Sequence, residues 1–313
     1  MRRRFAVAPS GQRPLKVGLY LPAFDQPWAG SPVPRWADVL TVAKLAEEVG
    51  FDSLWVPDHL LLRFPEEGTL GVWEGWSLLA ALAAVTQRAE LGTLVACSAF
   101  RSPTLLAKMA DTVDEISGGR LVLGLGAGWH EPEFDAFGLP FDHRVSRLEE
   151  ALQIVCPLLR DGRIDFAGSY YQARDCELRP RGPRLNGPPI MVGVRDGERV
   201  LRLAARHANA CNRDFAAFDP DGLAAWQARV DGACAAVGRD PATLARTAAV
   251  FVDLPSAPRR EGWGALAGPP EELSAGLRAY ARLGFSHVQL WLEPGTRQGI
   301  EAFAGVLELL DQG

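Results

Sequence analysis

Leu121-Val122-Leu123-Gly124-Leu125 runs straight into Gly126-Ala127-Gly128-Trp129-His130-Glu131, and this pair of segments decides the architecture. The first segment has no polar alternation, as expected of a strand covered on both faces in a parallel sheet. The second is a glycine-rich loop ahead of a helical pattern. Outward from it the same unit recurs: a short β-rich run, a loop of Gly, Pro and polar residues, then a longer stretch with helical apolar spacing. Strands are expected at Lys16 to Leu21, Ser53 to Val56, Leu91 to Ala96, Leu121 to Leu125, Ile190 to Val194, Ala208 to Cys211, Thr247 to Val252 and Val288 to Leu292. Helices are expected near 35–49, 76–86, 104–117, 145–160, 198–207, 220–237, 270–283 and 297–310.

Eight βα units in 313 residues fit an α/β fold of the (β/α)8 TIM-barrel type. A doubly wound open sheet usually has fewer units and an early G-x-G-x-x-G turn, and none follows the first strand. The stretch from about 163 to 188, with Tyr170-Tyr171 and several prolines, breaks the rhythm and reads as a short insertion after the fourth helix. Residues 1–14 read as a flexible tail and 15–313 as one barrel domain.

Composition narrows the function. The chain is 48% hydrophobic and 23% charged with net charge -5, so no global positive field recruits nucleic acid. The five cysteines (Cys97, Cys156, Cys176, Cys211, Cys234) are scattered and include no C-x-x-C pair, which argues against a disulfide framework and a zinc site and suits the cytoplasm. The apolar run after Arg2-Arg3-Arg4 is too short for a signal peptide, and no window approaches the roughly 20 apolar residues of a membrane span.

In a TIM barrel, chemistry gathers at the C-terminal ends of the strands. Asp58-His59 follows strand two, Cys97 to Arg101 follows strand three, Gly126 to Glu131 follows strand four and Arg195-Asp196-Gly197-Glu198 follows strand five. Gly193 to Glu198 reads either as a phosphate cradle, with glycine backbone, helix N-terminus and Arg195 meeting an anion, or as a tight turn with a solvated arginine. Gly124, Gly126 and Gly128 read as a cofactor-approach loop or as small residues at a strand end. His59 and His130 are candidate proton carriers or surface donors, with Asp58 and Glu131 beside them in sequence. His143, His207 and His287 fall away from the active face and read as structural. No H-x-x-E-H, G-x-S-x-G or P-loop pattern is present.

Taken together, several of these segments resemble the luciferase-like flavin and deazaflavin oxidoreductases. Phe51 to His59, Leu91 to Val95 with Phe100-Arg101-Ser102-Pro103, Ile116 to Leu121 running into Gly124 to Phe134, and Pro188 to Gly193 are each similar to a characteristic segment of that family, in order, and the likeness spans 16 to about 312. The resemblance implies a bulge at Thr93, Leu94 and Val95 behind the cofactor ring, containing a non-prolyl cis peptide. It implies that Ala127, Gly128 and Trp129 line the ring's pyrimidine side, with Asp58 and Cys97 nearby, and that Gly193, Val194 and Arg195 bind phosphate. Val194 stands where members often carry a second glycine. By the same resemblance His59 is the catalytic proton donor or acceptor, with His130 and Glu131 as further candidates.

Asp58-His59, Trp73-Glu74-Gly75-Trp76 and Gly128-Trp129-His130-Glu131 look more like the branch using the deazaflavin coenzyme F420 than the FMN branch. The implied reaction is hydride transfer to or from a small organic substrate, the acidic tail of F420 meeting Arg195, Arg199 or Arg101. The alternatives are a two-component FMN monooxygenase fed by a separate reductase and a flavin-binding protein without turnover. Loops 22–34, 60–75 and 253–268 are expected to shape the pocket, with Trp28, Phe64, Trp73 and Trp263 favouring an apolar or aromatic substrate or packing on a second subunit of a homodimer.

Overall fold

The computed structural model describes residues 13–25, 34–215, 217–257 and 264–312. Eight parallel strands close on themselves: β1 (Lys16–Tyr20), β2 (Ser53–Val56), β3 (Glu90–Thr93), β4 (Leu121–Gly126), β5 (Ile190–Val194), β6 (Ala210–Arg213), β7 (Ala245–Asp253) and β8 (His287–Glu293). Each pairs with its neighbour in sequence, and closure comes where Lys16 to Leu19 pair with His287 to Leu290. This is a (β/α)8 TIM barrel.

The helices wrapping it are α1 (Trp36–Val49), α2 (Gly75–Val85), α3 (Pro103–Ser117), α4 (Glu131–Phe137), α5 (Arg144–Asp161), α6 (Glu198–His207), α7 (Pro220–Ala236), α8 (Pro270–Arg282) and α9 (Arg297–Asp311). Prolines open α3, α7 and α8, where the missing N–H costs nothing. α4 is the addition to the expected set. The expected insertion follows α5 and contains the antiparallel hairpin Arg163–Ala167/Gln172–Glu177. A second hairpin, Leu62–Phe64/Gly68–Leu70, rises from the loop after β2.

There are two local departures from the expected course. Strand three ends at Thr93 rather than Ala96; the Leu94–Val95 peptide that follows is cis, and Ala96–Cys97 then pair with the end of β4. Arg13, within the expected tail, is tied down: its guanidinium donates to both Asp311 oxygens at 2.7 and 2.9 Å, to the Gly50 carbonyl and to Asp52. Residues 1–12 lie outside the described residues.

The barrel floor is a packed polar stack. Trp55 fills it against Gly18 and Gly92, where a Cβ would come within 2.6 and 2.3 Å of the indole. Its Nε1–H donates to Ser53 Oγ at 2.7 Å, and Ser53 sits 2.7 Å from His287 Nε2. Ser53 Oγ is thus shared between the indole N–H and the imidazole at the centre of the stack. Burial accordingly pushes the His287 pKa down to about 3.

The unfolded chain therefore binds a proton that the folded one refuses, and stability falls as pH drops from 6.5 towards 3. Each pH unit in that window is worth about 1.4 kcal/mol. Urea denaturation at pH 7 and pH 5 should show wild type losing about 2 kcal/mol more than His287→Gln; equal losses would place the sensitivity elsewhere.

Candidate active site

At the C-terminal ends of the strands lies a cavity of about 610 Å³. One wall is the cis bulge, Leu94 and Val95, facing Gly126, Ala127 and Gly128 from the end of β4. The glycines are explained by the bulge. A Cβ on Gly124 would lie 2.0 Å from the Thr93 carbonyl, one on Gly126 2.6 Å from Val95 Cγ2, and one on Gly193 3.0 Å from the same methyl. Gly193 thus seats Val95, a packing role that the phosphate reading of its sequence did not anticipate. Thr93 itself is buried and donates to the Gly124 carbonyl at 2.8 Å, behind the cavity surface.

The opposite wall is aromatic: Tyr20, Phe24, Phe215, Phe251 and Trp291 line it, with neighbouring ring centroids 4.5 to 6.2 Å apart. The hairpin Leu62–Leu70 forms a side of the cavity through Leu62, Phe64 and Leu70. Of the expected pocket aromatics, Phe64 lines it, whereas Trp73 is half exposed with its Nε1–H on the Pro34 carbonyl. Trp28 and Trp263 lie outside the described residues.

His59 faces the cavity, edge-on to Trp129 at 5.6 Å. Its Nδ1 is held at 2.9 Å by Glu133 Oε1, while Glu133 Oε2 accepts the Leu60 N–H at 2.9 Å. Glu133 is 1% exposed, so Nδ1 is held from within the protein, and Nε2 is the ring nitrogen without a hydrogen-bond partner among the described residues. The sequence reading chose Glu131, but that side chain is exposed on the first turn of α4. Two residues on, the chain has turned inward. Pro132 in the first turn and the αL cap at Gly138 were the available signals of a helix that would bury Glu133 beside Phe134.

His130 is not part of the cavity lining. Its Nε2 accepts the Arg63 N–H at 2.8 Å and its ring packs against Phe64, so it pins the hairpin to the β4 loop. Burial lowers its pKa, opposed by Glu133 and reinforced by His59 and Arg63. Asp58 reaches the cavity edge, but its carboxylate is spent within the protein, on the Cys97 N–H at 2.9 Å and on Arg101 at 2.8 and 3.0 Å. Cys97 lines the cavity as a thiol whose pKa burial pushes up to about 12.

The loop after β5 brings Gly193, Val194, Arg195, Asp196 and Gly197 to the cavity. Helix α6 begins there without a side-chain cap, leaving its first N–H groups available to an anion. A glycine-walled cleft ending at an uncapped helix N-terminus fits a planar cofactor with a phosphate. Arg195 is 78% exposed and 3.8 Å from Asp214. Arg199 pairs with Glu149 at 2.5 Å on the surface, whereas Arg101 is largely buried and held by Asp58 and Glu74, so Arg101 is not available to an acidic tail.

A family model described as luciferase-like monooxygenase matches residues 15–256. The chain belongs to the luciferase-like monooxygenase family. Among curated luciferase-like relatives, the pyrimidine monooxygenase RutA of Stutzerimonas stutzeri (strain A1501) is 30% identical over 239 residues, 72% of this chain and 65% of that protein. The match thus spans less than two-thirds of the length of such relatives, 50 to 65% of it. Among solved structures, an F420-dependent secondary alcohol dehydrogenase in complex with an F420-acetone adduct aligns with TM-score 0.78 at 18% identity, covering 95% of this chain and 99% of that one. The riboflavin lyase RcaE, with modified FMN and riboflavin, aligns with TM-score 0.78 at 17% identity, covering 95% and 91%. These two likenesses place the luciferase-like fold.

Because the folded pKa of His130 lies below its ordinary 6.5, its contribution to hairpin anchoring is present above that value and lost as pH falls through the lowered one. Protonation fills the lone pair that holds Arg63, while the far end stays fixed by the Phe24–Val72 bridge. Hydrogen exchange should show the Arg63 amide losing protection as pH is lowered stepwise below 6.5 in wild type and not in His130→Gln. Unchanged protection in wild type would remove the imidazole from the anchor.

Proposed function

We propose that the protein is an oxidoreductase that binds coenzyme F420 and exchanges hydride with a small organic substrate, His59 moving the accompanying proton. The observation that carries this reading is the His59–Glu133 pair at the cavity. Hydride transfer to or from an oxygen-bearing carbon needs a proton partner in place. A buried carboxylate on Nδ1 fixes the imidazole's orientation, leaving Nε2 to give or take the proton. When bound, the deazaflavin supplies a two-electron hydride carrier. Leu94 and Val95 would support its ring, Ala127, Gly128 and Trp129 would border the ring's edge, and the uncapped start of α6 with Arg195 would take the phosphate. Val194 is buried in the barrel and would contribute backbone only.

A second reading is an FMN-dependent monooxygenase supplied with reduced flavin by a separate reductase. Two observations favour it: the curated relatives at about 30% identity are named pyrimidine monooxygenases, and Arg101 is already engaged by Asp58 and Glu74 where an acidic F420 tail could meet it.

Titration with each cofactor by fluorescence quenching separates the two. F420 should bind at least about tenfold more tightly than FMN, a difference of roughly 1.4 kcal/mol. Equal or reversed affinity would move the assignment to FMN. For the proton role, His59→Ala should lower kcat by about 10²–10⁴ with little change in cofactor Kd. A variant that loses cofactor and keeps kcat at saturation would make His59 a packing residue.

A further inference from the structure

Asn212 is 3% exposed, lies on β6, and is a polar residue in the cavity lining below the aromatic wall. Its amide is locked: Nδ2 donates to Thr247 Oγ1 and to Gln289 Oε1, both at 2.7 Å. Thr247 spends its own proton on the Cys211 carbonyl or Met191 sulfur, so it can only accept from Asn212. Both amide protons are therefore used, and Oδ1 has no hydrogen-bond partner among the described residues. Oδ1 keeps its exposure to the cavity, and an acceptor left unmade on a cavity wall marks a place for a ligand.

The space around it is open by virtue of its neighbours. Gly193, paired with Asn212 across the β5–β6 ladder, has no side chain, and Ala249, two residues beyond Thr247 on β7 and on the same face, has only a methyl. Trp291, two residues beyond Gln289 on β8, and Phe215 rise above. The result is a slot with flat apolar sides and a hydrogen-bond acceptor at its base. Charge restricts the occupant further. The described lining carries the carboxylates of Asp58, Glu67, Glu133, Asp196 and Asp214 against the single guanidinium of Arg195. Arg101 offsets Asp58, and Arg213 and Arg229 offset Asp196, but once a cofactor phosphate occupies Arg195 the described lining holds no guanidinium for an anionic substrate.

We propose that Asn212 is a specificity-determining residue, its Oδ1 accepting a hydrogen bond from the N–H or O–H of an uncharged aromatic substrate seated over Ala249 between Phe215 and Trp291. The proposal rests on the reading of this cavity as the site of a flavin-type oxidoreductase. It names the substrate class: neutral rings bearing a donor, in preference to aromatic carboxylates or phosphates.

The test uses the full chain, loaded with whichever of F420 and FMN it binds, and four probes measured by calorimetry or ligand-observed NMR. Indole and 3-methylindole carry an N–H; 1-methylindole has the same added methyl without it; indole-3-carboxylate adds a negative charge. Indole and 3-methylindole should bind at least about tenfold more tightly than 1-methylindole and indole-3-carboxylate, and in Asn212→Leu indole and 3-methylindole should fall to the level of 1-methylindole. Equal binding of 3-methylindole and 1-methylindole to wild type overturns the proposal, as does persistence of the preference in Asn212→Leu. If Asn212→Leu does not fold, Ala249→Leu decides: filling the slot should abolish indole binding with cofactor Kd unchanged, and undiminished indole binding overturns the proposal. A chain that binds neither cofactor refutes the oxidoreductase reading instead, and the wild-type probe series then still judges Asn212.

Discussion

The active end of the barrel is organised around one buried charge. Asp58 is 3% exposed, and its two oxygens take three hydrogen bonds, two from Arg101 and one from the Cys97 backbone. Burial pushes the carboxyl pKa up while Arg101 pulls it back, the balance typical of an ion pair that must be fully satisfied to be tolerated. Arg101 also reaches Glu74 at 2.5 Å, and Glu74 caps α2 by accepting from Trp76 and Ser77. The loop after β2, the chain leaving the cis bulge and the start of α2 are thereby fixed to one another. His59 is the next residue, so its place beside the cavity is a consequence of this clamp.

The same network explains a motif. In Trp73-Glu74-Gly75-Trp76 the glutamate caps and clamps, and a Cβ on Gly75 would lie 2.2 Å from the Pro57 carbonyl, so the helix can approach the β2 loop only with glycine there. Residues that resembled a cofactor-branch signature are here explained by packing and capping.

Much of the fold was legible in the sequence. Each of the eight expected strands overlaps a barrel strand, because a parallel strand buried on both faces writes itself as a continuous apolar run. The hairpin Leu62–Leu70 was not legible, since its two three-residue strands are too short for a period to register. The candidate site was legible by loop and only partly by residue. His59 and the bulge came through because each lies just past a strand end. Glu133 did not, because which carboxylate of Glu131-Pro132-Glu133 turns inward depends on the phase of a seven-residue helix. The aromatic wall was missed for a different reason: Tyr20, Phe251 and Trp291 sit within strands, where a large ring looks like ordinary core.

Cys97 gives the architecture a chemical safeguard. It lines the cavity with its pKa pushed up to about 12, burial being the main cause and the charges of Asp58 and Glu133 adding to it. At neutral pH the thiol form prevails, and it is a poor nucleophile. The carboxylates that brace the loops thus also keep this sulfur protonated, so that the cavity wall presents no thiolate to an electrophile entering it.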